Sequence, residues 1–188
     1  SVLGDHLIAN PTTWQLLRHD APTRRDMLRE LLGRIGAAPA GLVGDTATDT
    51  LDNVGTYRAA GTGTTCTTIE TTLKQTYRTL LMRIAAIDLA GTYPENSRRV
   101  GQPEVPLGTV TAQLADLADA ALTAALAVAI RHVYGDNPVE SQLAVIAMGK
   151  CGARELNYIS DVDVIFVAEP ADAAATRVAS ELIRLGSH

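Results

Sequence analysis

Asp161 and Asp163 stand two apart at the head of an apolar segment, Val162 to Ala168. On a strand, residues i and i+2 point to the same face, so the two carboxylates are expected to converge on one point. Two acids held that closely repel each other unless a cation lies between them, and hard oxygen ligands of this kind suit Mg²⁺ or Mn²⁺. The chemistry such a pair supports is metal-assisted transfer at phosphorus, with the carboxylates as metal ligands.

The segment before the acids supplies what a phosphate would need. Leu143-Ala144-Val145-Ile146-Ala147-Met148 is an uninterrupted apolar run, which predicts a strand buried on both faces that stops at Gly149. Gly149 and Gly152 flank a turn carrying Lys150, with Arg154 and Glu155 just after it. Glycines allow close backbone approach, so free amides and two cations are expected to meet a polyphosphate opposite the acids. Ser160 is read as capping the turn or orienting Asp161, because no sequence pattern supplies it with a base. The expected result is two adjacent strands joined through a glycine turn, with Asp161 and Asp163 near its mouth.

Most of the chain ahead of this unit reads as helix. Asn10 and Pro11 form an N-cap and first-turn pair opening a helix through Trp14, which is read as a core anchor. Met27, Leu28, Leu31, Leu32 and Ile35 recur at helical spacing up to Gly36. Residues 39–68 are rich in Gly, Thr, Asp and Ala without sustained period and read as a loop or linker. Ile69 to Ile87 and Thr109 to Val133 read as two long helices, separated by a Pro-rich break at 91–108. The alanines of the second allow close helix approach. Asp172 is placed as the cap of a final helix carrying Val178, Leu182, Ile183 and Leu185. The fold class is therefore α+β, with a mainly helical part over 1–137 followed by the start of a small sheet over 138–188.

Composition excludes several classes. The chain has 188 residues, a net charge of −5 and a pI near 5.3, which argues against wrapping nucleic acid. No uninterrupted run approaches the roughly 18 apolar residues of a membrane span, and no basic segment followed by an apolar one stands at Ser1. Cys66 and Cys151 lack metal-ligand spacing, as do His6, His19, His132 and His188, so structural zinc is not expected. A reducing, cytoplasmic setting fits this usage. Cys151 is read as a small filler of the glycine turn.

Taken together, Gly149-Lys150-Cys151-Gly152-Ala153-Arg154-Glu155-Leu156 and Ser160-Asp161-Val162-Asp163-Val164-Ile165-Phe166 resemble the nucleotidyltransferase signature of bifunctional glutamine synthetase adenylyltransferase/adenylyl-removing enzymes. The pattern there is roughly G-K-x-G-G-x-E-L-x-x-x-S-D-x-D-x-I-F, and Ala153 departs from it by replacing the second glycine. Those enzymes carry two such domains. Asn157 after Glu155-Leu156, and the lead-in Leu3-Gly4-Asp5-His6-Leu7 with Asn10-Pro11-Thr12-Thr13-Trp14, resemble the N-terminal, adenylyl-removing copy.

The resemblance implies a polymerase-beta-like sheet and phosphorolysis of adenylyl-tyrosine on glutamine synthetase, with release of ADP. It implies Asp161 and Asp163 as ligands of Mg²⁺ or Mn²⁺, and Gly149, Lys150, Gly152 and Ser160 as the phosphate pocket, with Arg154 and Glu155 behind them. Glutamine synthetase, a PII-type nitrogen-signalling protein, ATP or ADP and phosphate are the implied partners. It also implies a third carboxylate on a later strand. Glu169, Asp172 and Glu181 are the acids that follow Asp163, and none lies in the expected R-P context, so the chain is expected to be a fragment that continues past His188.

Two other readings stay open on the residues alone. D-x-D after an apolar strand also serves metal-dependent glycosyl transfer, where nucleotide-sugar binding would mark it. The long helices could instead form a regulatory module whose partner binding ignores both aspartates.

Overall fold

A computed structural model describes residues 21–39, 57–60, 66–92 and 107–186, with isolated positions before residue 16. The Trp14 helix and most of the Thr-rich and Pro-rich stretches lie outside the described residues.

Helix α1 spans Arg24–Arg34. Its start is set by a capping box: the Asp26 amide donates to the Thr23 hydroxyl at 3.2 Å, and Asp26 accepts in return from the Thr23 backbone N–H. Met27, Leu28, Leu31 and Leu32 are its buried face, and Gly36 at φ +60 follows its end. Residues 57–60 fall within the stretch read as a loop. There, strand β2 (Tyr57–Arg58) pairs antiparallel with β1 (Ala38–Pro39), and Ala59 is buried with its amide on the Ala127 carbonyl.

Two long helices follow, α2 (Cys66–Thr92) and α3 (Leu107–Tyr134). Helix α3 is the spine of the molecule, packing on α1, α2 and the final helix. It is long and apolar enough, by length and composition, to cross a membrane, which counting uninterrupted apolar runs did not reveal. In this chain it is a core helix: Leu117, Ala124, Val128 and Ala129 are completely buried, and its alanines bring neighbouring backbones close.

Strands β3 (Gln142–Ala147) and β4 (Val164–Glu169) pair antiparallel, with Val145 opposite Phe166 and Ile146 opposite Ile165. Between them lies a single helical turn, α4 (Gly149–Gly152). Helix α5 (Ala173–Gly186) ends the described chain. As expected, Asp172 caps it, accepting from the Ala175 amide at 2.7 Å, while Ser141 donates to its other oxygen. The architecture is α+β. One expectation fails: β3 is covered on one face only, and Ile146, Ile165 and Val167 are about half exposed on the other. Among the described residues helices pack against the inner face alone, so the apolar run that suggested a doubly buried strand makes an open sheet face instead.

Candidate active site

The glycine turn is built by exclusion of side chains. Met148 is extended, and Gly149 then turns the chain at φ +52, a left-handed angle that favours glycine. A Cβ on Gly149 would stand 3.3 Å from the Asp163 carboxylate oxygen Oδ2. A Cβ on Gly152 would be 2.6 Å from the Ala147 carbonyl oxygen, closer than any side chain permits. Ala153 is tolerated where the related pattern has glycine because it sits at φ −77, ψ −6, ordinary right-handed backbone.

Hydrogen bonds inside the turn use several of its amides. Those of Gly152, Ala153, Arg154 and Glu155 bond to the carbonyls of Met148, Gly149, Cys151 and Lys150. The amides of Gly149, Lys150 and Cys151, in the first turn, have no intrahelical acceptor. The expected cradle of free amides is therefore confined to this leading edge. Cys151 is buried beneath it, and burial, reinforced by Asp119 and Asp163, pushes its thiol pKa up. A thiol held protonated acts as filler.

Asp161 and Asp163 both precede β4 instead of lying on it. Asp163 nevertheless continues the ladder, because its carbonyl accepts from the Met148 amide at 2.8 Å. This places Asp163 across from the residue that opens the glycine turn. Val162, between the acids, lines a cavity of about 340 Å³ with Leu73, Tyr77, Leu122 and Leu185. Both aspartates are exposed, and among the described residues neither has an ion-pair partner.

The remaining predicted residues separate into two groups. Lys150 is exposed on the turn and, among the described residues, forms no ion pair, and the Glu155 side chain is likewise exposed. Ser160 and Asn157 are spent on local structure: the Ser160 hydroxyl accepts from the Asn157 amide at 3.3 Å, and Asn157 Oδ1 accepts from the Ile159 amide at 3.0 Å. Arg154 is also engaged. It adopts φ 60 and donates from its two terminal guanidinium nitrogens, Nη1 and Nη2, to Asp116 of α3, at 2.8 and 3.0 Å. Tyr158 is engaged in the same way; its hydroxyl donates to Asp88 of α2 at 2.9 Å. Burial, and then that bond, raise the phenol pKa.

Sequence reasoning missed Asp88 and Asp116. A single acid on a helix otherwise read by its apolar period carries no signal of its distant partner.

The donor set fits a hard divalent cation in part. The exposed Asp163 carboxylate lies beside Gly149, whose missing Cβ leaves room there, and Asp161, also exposed, stands two residues before it. Among the described residues no group of three or more His, Cys, Asp or Glu side chains is gathered to hold a metal.

This chain brings its glycine turn and Asp163 together at the end of the strand pair. It belongs to the glutamate-ammonia ligase adenylyltransferase family, whose model it matches over residues 26–185. It is 60% identical over its whole length to the bifunctional glutamine synthetase adenylyltransferase/adenylyl-removing enzyme of Corynebacterium glutamicum, covering 18% of that protein. It is 55% identical over 99% of its length to the enzyme of that name from Corynebacterium efficiens, again covering 18%. The Nocardia farcinica enzyme of the same name is 50% identical over the whole chain, which covers 17% of it. The chain thus spans less than a fifth of the length of these relatives. No solved structure matches it.

Proposed function

We propose that this segment supplies the glycine turn and two metal carboxylates of the site that removes AMP from adenylyl-tyrosine of glutamine synthetase. The observation that carries the reading is the meeting of Asp163 with Gly149, by backbone pairing at Met148 and by the close approach of Oδ2, inside a chain of this family. The sheet would continue in a polymerase-beta-like manner, with residues 138–188 as its opening portion, residues 1–137 as the helical lead-in, and a third carboxylate from another part of the protein. The setting would be cytoplasmic, with a PII-type signalling protein as a further partner.

In the proposed reaction an oxygen of inorganic phosphate attacks the adenylyl phosphorus. The new P–O bond makes ADP, the bond to the tyrosine oxygen breaks, and that oxygen recovers a proton. Asp161 and Asp163 would hold Mg²⁺ or Mn²⁺, which when bound neutralises charge on the phosphoryl oxygens. Lys150 and the leading amides of the turn would hold the attacking phosphate; among the described residues of the turn, no internal bond occupies them. Ser160 would keep the approach to Asp161 in its turn. Glu155 and Arg154 would act from the flank, Arg154 through its pairing with Asp116.

The direction of reaction rests on Asn157 and the lead-in, which resemble the removing copy. The test uses the full gene product with adenylylated glutamine synthetase, Mg²⁺ and phosphate. Asp161→Asn with Asp163→Asn should abolish ADP release while ATP-dependent adenylylation persists. Loss of adenylylation with ADP release intact would assign the segment to the synthetic half.

A further inference from the structure

The chain between the glycine turn and the two acids is fastened to the helices at every second residue. Arg154 is tied to Asp116 of α3, Leu156 is 3% exposed within the core, and Tyr158 is tied to Asp88 of α2. Arg154 is also a non-glycine residue at φ 60, a conformation retained where the surroundings hold it. What holds it is a two-pronged pair: Asp116 offers one oxygen to each guanidinium nitrogen, and its side chain is only 13% exposed. Asp116 is itself fixed, because Leu114, Ala115, Leu117 and Ala118 around it are buried in α3.

We propose that Asp116 is a positioning residue for the site, acting through Arg154 to set the glycine turn against the two aspartates. The covalent path is short. Arg154 follows Ala153, whose amide closes the turn on Gly149, and its own amide bonds to Cys151. On its other side, Leu156 to Ser160 lead directly into Asp161. A change in the left-handed backbone at Arg154 therefore moves Lys150 and Gly149 relative to Asp161 and Asp163. The helical lead-in is, on this account, the platform that aligns the chemistry. The inference rests on the functional reading above.

The test again uses the full gene product with adenylylated glutamine synthetase and phosphate. Asp116→Asn replaces one of the two acceptor oxygens with a donor. It should lower kcat for ADP release about 10- to 100-fold, because a small misplacement of the reacting groups by a change outside the chemistry is costly. KM for the adenylylated substrate should change less than about twofold, because no substrate contact is removed. Arg154→Lys, which cannot form the fork, should reproduce the loss, and the double variant should be no worse than either single one. Asp116→Glu should recover much of the rate.

A purely structural ion pair would lower the unfolding temperature while leaving kcat intact in the folded fraction, and that result overturns the proposal. Should Asp116→Asn fail to fold, Arg154→Lys alters a half-exposed side chain and decides the matter by the same kcat criterion. Should Asp161→Asn with Asp163→Asn leave ADP release untouched, the functional reading falls and takes this proposal with it. Loss at the aspartates without loss at Asp116 or Arg154 overturns only the positioning role.

Discussion

The helical layer and the strand pair of this molecule treat apolar side chains in opposite ways. In α1 to α3, Leu31, Leu80, Ile84 and Leu117 are completely buried, while in β3 and β4 Ile146 and Ile165 are 46% and 48% exposed although they face each other across the ladder. Burial, not hydrophobicity of sequence, decides what a side chain contributes to folding. The helices therefore bury the larger share of the apolar side chains, while the strand pair packs one face on them and leaves the other open. Polar ties link the two: Asp88 and Asp116 project from the helical layer to the loop that leads to the acids.

The sharpest way to break this comparison is to remove the same kind of atoms from each region. Leu117→Ala should destabilise the chain by about 2–5 kcal/mol in chemical denaturation, because it leaves a cavity at the centre of α3. Ile165→Ala should cost less than about 1 kcal/mol, since half of that side chain already meets solvent. Equal losses would mean that the open sheet face contributes as much as the helical core. A second, smaller effect lies at the junction of the two regions. Gly152→Ala puts a methyl group against the Ala147 carbonyl, 2.6 Å from the ideal Cβ, and should cost about 1–3 kcal/mol as the turn shifts. Thermal unfolding of Gly152→Ala beside Ala153→Gly checks this, because Ala153 adopts ordinary backbone and its change should not strain the turn.

The unevenness of what the sequence revealed has the same origin. Helix period, cap residues and the glycine turn are local, and they located α1, α2, α3, α5 and the turn to within a few residues. The pairing of Tyr57–Arg58 with Ala38–Pro39 joins residues far apart in the chain, and no local pattern announces it. The Leu143 to Met148 run looked doubly buried because periodicity reports the residue types and not which layers arrive to cover them. Asp161 and Asp163 were recognisable by spacing, yet their placement ahead of β4 depends on where the ladder stops, one pair beyond Ala147 and Val164. Arg154 read as a phosphate cation because its partner, Asp116, lies 38 residues away.

A pH titration sharpens the comparison from the helical side. Glu181 of α5 accepts from Arg184 and lies against His132 of α3, while Arg184 also reaches Glu70 of α2. The Arg184 hydrogen bond, then that of His132, outweigh burial and hold the Glu181 pKa down at about 2. A depressed carboxyl pKa stabilises the folded state above the unfolded value, near 4.5, and that contribution is lost as pH falls toward 2. Glu181→Gln should therefore flatten the stability curve between those pH values, removing on the order of 1 kcal/mol at neutral pH. An unchanged acid slope would show that this cluster does not fasten α5 to the long helices.

The smallest effect on folding is expected where the largest effect on chemistry lies. Asp161 and Asp163 are exposed and have no ion-pair partners among the described residues, so neutralising them removes no such attraction. In metal-free buffer Asp161→Asn with Asp163→Asn should leave stability within about 0.5 kcal/mol of the parent. Saturating Mn²⁺ should separate the two. A ligand bound only by the folded state adds about 2.7 kcal/mol at one hundred times its dissociation constant, so the parent's unfolding midpoint should rise with Mn²⁺ while the double variant's stays fixed. Identical Mn²⁺-dependent shifts in both would remove the metal from these aspartates. A large metal-free loss in the variant would instead make the acids part of the fold's support, erasing the division between a helical layer that stabilises and a strand pair that presents the site.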